Sequence, residues 1–318
     1  MRIFRHYENV PGAFQGAVMA VGNFDGVHLG HRALIEEAEH HARERGAALA
    51  ILAFEPHPQE FFRPSPQSFR LTPFRVKARL LAELHVDVMF ALSFDAQMAA
   101  KSAQDFVLDV LVKGLGAGCV VVGDDFQFGK GRAGNATLLS YMGSMEGFGV
   151  EIFKPVAAEG AEKISSTQIR QALQQGRPDE AARLLGHYWA VEARVEHGDK
   201  RGRTIGVPTA NMRLVDCLHP AFGVYAVRAS VLEDDKVVSR HLGVASFGIR
   251  PMFRTQEPLL ETWLFDFDGE LYGKHLAVEL VRYLRLEMAL DGLDALKAQI
   301  DRDASAARAA LDRAGVRC

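Results

Sequence analysis

The sequence has almost no excess of charge of either sign. It contains 37 lysines and arginines against 40 aspartates and glutamates, a formal net charge of −3. A protein that binds nucleic acid or an anionic membrane through its overall field carries a clear positive excess. We therefore expect neither partner and look for small-molecule substrates, and the sequence leaves the oligomeric state open.

Cysteine and long hydrophobic runs are also scarce. Cys119, Cys217 and Cys318 lie far apart and are odd in number, which predicts neither a disulfide framework nor a cysteine-based metal site. The apolar run before Gly22 spans only Ala17–Val21, too short for the core of a signal peptide, and no stretch approaches the length of a membrane span. These observations favour a cytoplasmic protein.

The P-loop string G-x-x-x-x-G-K-[ST] is missing, which excludes a P-loop kinase. A G-x-G-x-x-G string does occur at Gly129–Gly134. A dinucleotide fold would place those glycines directly after a strand, but Asp124–Phe128 intervene, and their two carboxylates would repel a pyrophosphate. Dinucleotide binding is therefore not favoured.

The first half of the sequence alternates buried-strand patterns with helical patterns. Strands are predicted at Ala17–Val21, Ala48–Phe54, Val86–Phe94, Cys119–Gly123 and Val150–Phe153, and helices lie between and after them. Repeated strand–helix–strand units imply a parallel sheet with helices on both faces. Residues 1–186 are therefore predicted to form a doubly wound α/β domain.

Beyond Gly186 the apolar residues alternate with a period of two, as in antiparallel strands. One such face carries Tyr225, Val227, Ala229 and Val231, and Asp268-Gly269 predicts a hairpin turn between two later runs. Only Leu293–Leu311 has helical spacing. Residues 187–318 are therefore predicted to form a small antiparallel β-barrel with a C-terminal helix.

One turn in the first half carries an unusual concentration of glycine and histidine. It follows the first predicted strand and reads Gly22-Asn23-Phe24-Asp25-Gly26-Val27-His28-Leu29-Gly30-His31. Free N–H groups at a helix start bind phosphate, and histidines three residues apart can face the same way to neutralise developing charge. The residues alone leave two other interpretations open, a capped surface turn and a zinc site that includes Asp25.

Three further features carry possible chemistry. Ser165, Ser166 and Thr167 form a good helix start, and with Arg170 they would suit ATP phosphates. In the second half, Thr209 and Asn211 offer oxygens to a hard cation such as Mg²⁺, although their segment also fits a loop before a strand. Glu261 begins a predicted strand, where a carboxylate is usually an ordinary surface group.

Together these motifs show a resemblance to a known family. The string Gly22–His31 resembles the HxGH signature of the nucleotidyltransferase α/β superfamily. Over essentially its full length the chain resembles the bifunctional riboflavin kinase/FAD synthetase family of bacteria. The resemblance rests on Gly22–His31, Glu55–Pro58, Val122–Gly134, Ile164–Arg170, Gly202–Asn211, Gly223–Ala226, Gly248–Pro251 and Leu271–Gly273.

The resemblance implies that the first, Rossmann-like domain is an FMN adenylyltransferase. The FMN phosphate would attack the α-phosphate of ATP and release pyrophosphate, with FAD as product. Because this nucleophile is already an anion, His28 and His31 would act as transition-state stabilisers rather than as bases. The residues implied to bind ATP or FMN are Gly22, Asn23, Phe24, Asp25, Gly30, His57, Asp124, Asp125, Phe126, Ser165, Ser166, Thr167 and Arg170.

The resemblance also implies that the barrel is a riboflavin kinase. Glu261 would take the proton from the ribityl hydroxyl that attacks the γ-phosphate of ATP, while Thr209 and Asn211 would hold Mg²⁺ and the nucleotide phosphates. Gly206, Pro208 and Arg250 are implied binding residues. The chain departs from the family pattern at Met252, Ala289 and Leu290, where a hydroxyl and an aromatic ring are lost. These losses imply weaker riboflavin binding rather than altered chemistry.

Two other functions are compatible with the sequence. One is a different nucleotidyltransferase, of the pantetheine-phosphate or glycerol-phosphate type, fused to a barrel that only binds a ligand. The other is a flavin sensor or carrier that keeps the pockets without catalysis.

Overall fold

The structure is a computed structural model that describes residues 1–65, 68–154, 163–196, 207–234, 236–249 and 258–318. The chain folds into two units. The first unit comprises residues 1–66 and 74–165, and the second comprises residues 67–73 and 166–318. None of the described helices has both the length and the apolar composition that crossing a membrane requires.

The first unit contains a six-stranded parallel sheet. Its strands are β1 (Arg2–Phe4), β2 (Val18–Val21), β3 (Leu49–Phe54), β4 (Val88–Leu92), β5 (Cys119–Gly123) and β8 (Gly149–Phe153). A separate antiparallel pair, β6 (Gln127–Phe128) and β7 (Gly134–Asn135), lies between β5 and β8 in the sequence. The order across the sheet is β1-β4-β3-β2-β5-β8. The predicted strands are present, whereas β1 was not predicted.

The sheet of the first unit is covered on both faces. Along β2, Val18 and Ala20 join one buried apolar cluster, while Met19 and Val21 join the other. The helices are α1 (Leu29–Arg45), α2 (Pro58–Phe62), α3 (Phe74–Ala82), α4 (Ala96–Ala100), α5 (Ala103–Asp105), which continues into the π-helical segment Phe106–Gly114, and α6 (Ala136–Glu146). The doubly wound α/β architecture is therefore confirmed.

The second unit begins with two helices and continues into an antiparallel barrel. Its elements are α7 (Ser166–Gln174), α8 (Pro178–Leu185), β9 (Ala190–Arg194), β10 (Ala210–Arg213), β11 (Gly223–Glu233), β12 (Lys236–Gly248), β13 (Leu259–Leu264), β14 (His275–Arg285) and α9 (Leu293–Arg313). The strand order is β10-β13-β12-β11-β14-β9, and an antiparallel bridge between Glu196 and Asn211 links the two edges. The predicted barrel with a C-terminal helix is confirmed.

The predicted hairpin at Asp268-Gly269 is wrong. Strand β13 ends at Leu264 and pairs with β10 and β12, whereas β14 starts at His275 and pairs with β11 and β9. The two strands are consecutive in sequence but not neighbours in the sheet. A favourable turn sequence indicates only that the chain reverses locally, and strand pairing is decided by the rest of the barrel.

A short segment of the first half of the sequence packs in the second unit. We call residues 68–73 the strap. The buried indole Nε1–H of Trp189 donates to the carbonyl oxygen of Leu71 at 2.7 Å. The backbone N–H of Leu218 donates to the carbonyl oxygen of Arg70, also at 2.7 Å. Two carbonyl groups of the strap are thereby satisfied by residues more than a hundred positions away.

Candidate active sites

The glycine–histidine turn after β2 has an uncommon backbone. Phe24 and Val27 have φ angles of 51° and 43°, and Gly26 has a φ of 88°. The left-handed region is costly for any residue with a Cβ and especially for a β-branched one, about 1–3 kcal/mol per residue. Phe24 and Val27 are fully buried, so the surrounding core holds the turn in this conformation.

His28 caps the helix that follows the turn. Its Nδ1 accepts a hydrogen bond from the backbone N–H of His31 at 3.2 Å, in the N-cap position of α1. Because Nδ1 accepts, a neutral His28 carries its proton on Nε2. The two imidazole rings stack with centroids 3.6 Å apart and an interplanar angle of 15°. The predicted pairing of these histidines at a helix start is present in the structure.

The environment of His31 disfavours a positive charge. Burial lowers its pKa well below the usual value, and the nearby His28 and Lys77 lower it further. Among the described residues, nothing forms a hydrogen bond with the buried Nδ1 of His31. Protonation would place an unsatisfied N–H beside an existing cation, so His31 is neutral in the free protein.

Gly30 allows the close approach of the His28 ring. A Cβ placed on Gly30 would lie 3.3 Å from Nδ1 and Cε1 of His28 and 3.8 Å from the carbonyl oxygen of Ile164. The close approach of the His28 ring therefore explains why glycine occupies position 30. The contact also shows that the segment leading to Ser165 runs beside the first turn of α1.

The boundary between the two units falls in the sequence of the predicted phosphate-binding helix start. Ser165 closes the first unit, whereas Ser166, Thr167 and Arg170 belong to α7 in the second. In that unit the Nε of Arg170 donates to the carbonyl oxygen of Phe69 at 2.8 Å, and the guanidinium lies 4.9 Å from the centre of the Phe69 ring. That these residues act together with His28 and His31 stays a prediction.

A cavity of about 970 Å³ opens beside the turn, at the carboxyl ends of β2, β3 and β5. Of the predicted residues it is lined by Gly22, Asn23, His57, Asp125 and Phe126. Aromatic rings form much of the remaining wall, from Phe54, Phe62, Phe94, Phe106 and Phe128. Aromatic walls that alternate with polar and charged side chains, among them Arg63, Lys101 and Arg132, suit a planar aromatic ligand that carries anionic groups.

Lys163 connects two of the predicted segments. Its Nζ lies 3.0 Å from Oδ1 of Asp124 and 2.9 Å from Oδ2 of Asp125. The hydrogen bond from Lys163 holds the pKa of Asp124 below its usual value. Sequence reasoning missed this lysine, although its position directly before Ile164 was a usable signal.

In the second unit, two predicted residues and one serine that was not predicted lie side by side on three adjacent strands. Asn211 of β10 is the register partner of Glu261 on β13, and Glu261 is the partner of Ser246 on β12. Register partners point to the same face of a sheet. The structure therefore brings the predicted ligand Asn211 and the predicted base Glu261 together, and adds Ser246, which sequence reasoning missed.

We call Asn211, Glu261 and Ser246 the row, and the row and its surroundings offer further oxygen atoms to a ligand. Asn211 is only 8% exposed, and its Oδ1 has no hydrogen-bond partner among the residues that the structure describes. Pro208 and Thr209 lead into β10 and line a cavity of about 370 Å³. The predicted residues Gly206 and Arg250, like Met252, lie outside the described residues.

Ser246 forms a hydrogen bond with a carboxylate outside the row, that of Glu287. Its hydroxyl donates to Oε1 of Glu287 at 3.0 Å, and a Cβ on Gly248 would lie within 2.3 Å of that carboxyl group. Glu287 lies in the segment that carries the departures Ala289 and Leu290. The side chains of Leu286 and Met288 in the same segment are exposed, which leaves an apolar surface close to the row.

Comparison with known proteins gives a consistent result. The family model for FAD synthetase matches residues 11–168, and the model for riboflavin kinase matches residues 185–311. The bifunctional riboflavin kinase/FMN adenylyltransferase of Escherichia coli (strain K12) is 43% identical over 309 residues, 97% of each chain. Its counterpart in Haemophilus influenzae is 38% identical over 97% of this chain and 99% of the relative.

The fold has a close experimental counterpart. A crystal structure described as a macrolide-efflux protein from Streptococcus pneumoniae superposes with a TM-score of 0.82 at 30% identity, over 96% of this chain and 98% of that one. That description concerns the streptococcal protein. The two family models together cover both units, and the relatives match almost end to end. The chain belongs to the bifunctional riboflavin kinase/FMN adenylyltransferase family.

Proposed function

We propose that the two reactions of this family, the phosphorylation of riboflavin to FMN and the adenylylation of FMN to FAD, use separate sets of residues. The adenylyl transfer is assigned to the turn at His28 and His31 with the adjoining cavity, and the phosphorylation to the row of Asn211, Glu261 and Ser246. We keep residues 1–186 and 187–318 as the proposed functional domains. The single observation that carries the first assignment is the stacked histidine pair at the start of α1.

In adenylyl transfer, an oxygen of the FMN phosphate attacks the α-phosphorus of ATP, and the bond from that phosphorus to the bridging oxygen of the β-phosphate breaks. Two anions must approach, so the site has to neutralise charge rather than remove a proton. His28 donates from Nε2, because its Nδ1 is committed to the backbone of α1. His31 is stacked on it and takes on positive character only when phosphate oxygens arrive.

The aromatic cavity is the proposed binding site for the isoalloxazine ring of FMN. Phe62, which is 64% exposed, would cover the flavin from outside, while Phe54 and Phe106 close the inner wall. His57 stands in the same cavity as N-cap of α2, its Nδ1 accepting from the N–H of Gln59 at 3.1 Å. Bringing the flavin here places its phosphate beside the glycine–histidine turn.

In the kinase reaction, Glu261 is the proposed base. It accepts the proton of the ribityl hydroxyl as the oxygen attacks the γ-phosphorus of ATP and ADP leaves. Since such transition states are reached mainly through positioning and charge neutralisation, the carboxylate needs only to orient the hydroxyl and accept its proton late. The neighbouring Ser246 and Glu287 restrict where that hydroxyl can lie.

The residues at this site fit a magnesium ion. The buried Oδ1 of Asn211 lacks a hydrogen-bond partner among the described residues, and Thr209 adds a hydroxyl two positions away. Oxygen donors from one or two side chains, completed by substrate phosphates, are typical of Mg²⁺ in phosphoryl transfer. Bound there, the ion would neutralise charge on the ATP phosphates. The free, mostly buried cysteines support the cytoplasm as the proposed compartment.

Product analysis on the full chain tests both assignments. His28→Ala should stop the pathway at FMN, whereas Glu261→Gln should abolish FMN formation yet still convert added FMN to FAD. Incubation with riboflavin, ATP and Mg²⁺ followed by chromatography separates the two outcomes. Loss of FMN formation in His28→Ala would show that the two sets of residues are not independent.

A further inference from the structure

Lys77 is a buried cation that none of the sequence motifs explains. It lies in α3 of the first unit with only 2% of its side chain exposed, on the face that also buries Val76, Leu80 and Leu81. Its Nζ lies 3.8 Å from Oε2 of Glu55, so the two side chains form an ion pair. Lysine is almost never fully buried unless its charge is used or paired.

The position of the ion pair points to the adenylyl-transfer site. Glu55 directly follows β3, and β3 neighbours β2, the strand that leads into the glycine–histidine turn. Two residues after Glu55, His57 lines the aromatic cavity. Lys77 is also close enough to His31 to act on it electrostatically. The ion pair therefore lies at the same edge of the sheet as the proposed reaction centre.

Stability alone does not account for such a pair. A buried ion pair loses much of its Coulombic gain to desolvation, and a well-packed apolar pair of similar volume is often as stable. A fixed positive charge beside a site that must gather phosphates has a direct use, because it is already oriented before the substrates arrive.

We propose that Lys77 is a positioning residue for adenylyl transfer, supplying a fixed positive charge near His31 that attracts the triphosphate and the FMN phosphate. Glu55 holds the ammonium in place from the end of β3. Lys77 acts on the incoming phosphates through its electrostatic field, alongside the histidine pair, and does not touch the reacting atoms. This inference rests on the proposed role of that pair.

The variants have to separate charge from folding. Lys77→Met alone removes one charge of the pair and leaves that of Glu55, which is only 13% exposed, so the double variant Lys77→Met with Glu55→Gln removes both charges at similar volume. Lys77→Arg keeps the positive charge. Lys113→Met is the matched control, because Lys113 belongs to the same unit and is 71% exposed on the protein surface. The far-UV circular dichroism and thermal midpoint of each full-length variant report whether the first unit, which contains Lys77, is folded, and riboflavin kinase activity reports on the second unit.

We expect the double variant to keep kinase activity and to lose about tenfold in kcat for FAD formation, with a smaller rise in the KM for ATP. Lys77→Arg should recover most of the loss, and Lys113→Met should equal the wild type. NMR titration of the histidines should show a higher pKa for His31 in the double variant, because one of the cations acting on it is gone.

Two results would contradict the proposed role of Lys77, and a third would contradict that of the histidine pair. A double variant with wild-type kcat and an unchanged His31 titration overturns the role of Lys77. A loss that Lys77→Arg does not reduce would also overturn it, since charge would not be the cause. If His31→Ala in parallel still forms FAD at the wild-type rate, the proposed function of the histidine pair fails instead, whatever Lys77 does.

Discussion

Replacing Gly30 by alanine should separate the stability of the first unit from its catalysis. The new Cβ would lie 3.3 Å from the His28 ring, closer than most carbon contacts, so the ring has to move by a few tenths of an ångström. Alanine is a better helix former than glycine by up to about 1 kcal/mol, and Gly30 lies in the first turn of α1. The fold should therefore be unchanged or slightly stabilised.

The catalytic cost follows from how tightly the site is built. The moving ring is the one that caps α1 and stacks on His31, so its displacement alters both contacts. A misplacement of about 1 Å costs about a hundredfold in rate. For a displacement of a few tenths of an ångström we expect kcat/KM for FAD formation to fall about tenfold, which corresponds to about 1.4 kcal/mol of transition-state stabilisation.

The assay measures FMN formation and FAD formation on the same full-length preparation, together with the thermal midpoint. Gly12→Ala is the matched control, because a Cβ there meets nothing within 4 Å. A Gly30→Ala protein that makes FAD at the wild-type rate would refute the view that the His28 ring must lie where Gly30 allows it. A parallel fall in kinase activity would indicate a global effect.

Three further predictions concern His31, the cysteines and Trp189. Because the folded-state pKa of His31 lies below its unfolded value, the unfolded chain binds more protons as the pH falls below about 6.5, so the thermal midpoint should drop more steeply toward pH 5 in the wild type than in His31→Gln. An equal pH dependence in both proteins would contradict this. Burial raises the pKa of Cys217 to about 12 and also raises that of Cys119, so a disulfide reagent at pH 8 should modify only the exposed Cys318 in the native protein, and labelling of a second thiol without unfolding would be the contrary result. Trp189→Phe removes the hydrogen bond to Leu71 and should lower the free energy of unfolding of the second unit by about 1–3 kcal/mol in urea denaturation, whereas an unchanged unfolding curve would mean that water replaces the indole N–H.

The strands that the sequence identified are those with continuous apolar runs. Leu49–Phe54 and Cys119–Gly123 are buried on both sides, so burial alone marks them. The start of α1 could also be predicted from the sequence, since the capping residue His28 and Gly30 lie within a few positions of each other. Strand β1 was not, because its three residues are partly charged and their partner, β4, is about 85 positions away.

The parts of the sites that were missed depend on residues brought together from distant positions. Ser246 became visible only when the register placed it opposite Glu261, and no spacing rule links those two positions. The same holds for Lys77 and Glu55, which lie 22 positions apart on different elements. Motifs identify residues that are close in sequence, whereas cross-strand partners and buried ion pairs are properties of the folded chain.

The strap has a consequence for any attempt to divide this protein into two genes. A product that begins at residue 187 would carry Trp189 and Leu218 without the carbonyl groups of Leu71 and Arg70 that accept from them. It would also lack α7 and α8, which belong to the same unit. A buried indole N–H without an acceptor is destabilising, and the lost helices would expose apolar surface of the barrel unit. The second structural unit is therefore completed by residues that precede the proposed kinase domain, residues 187–318.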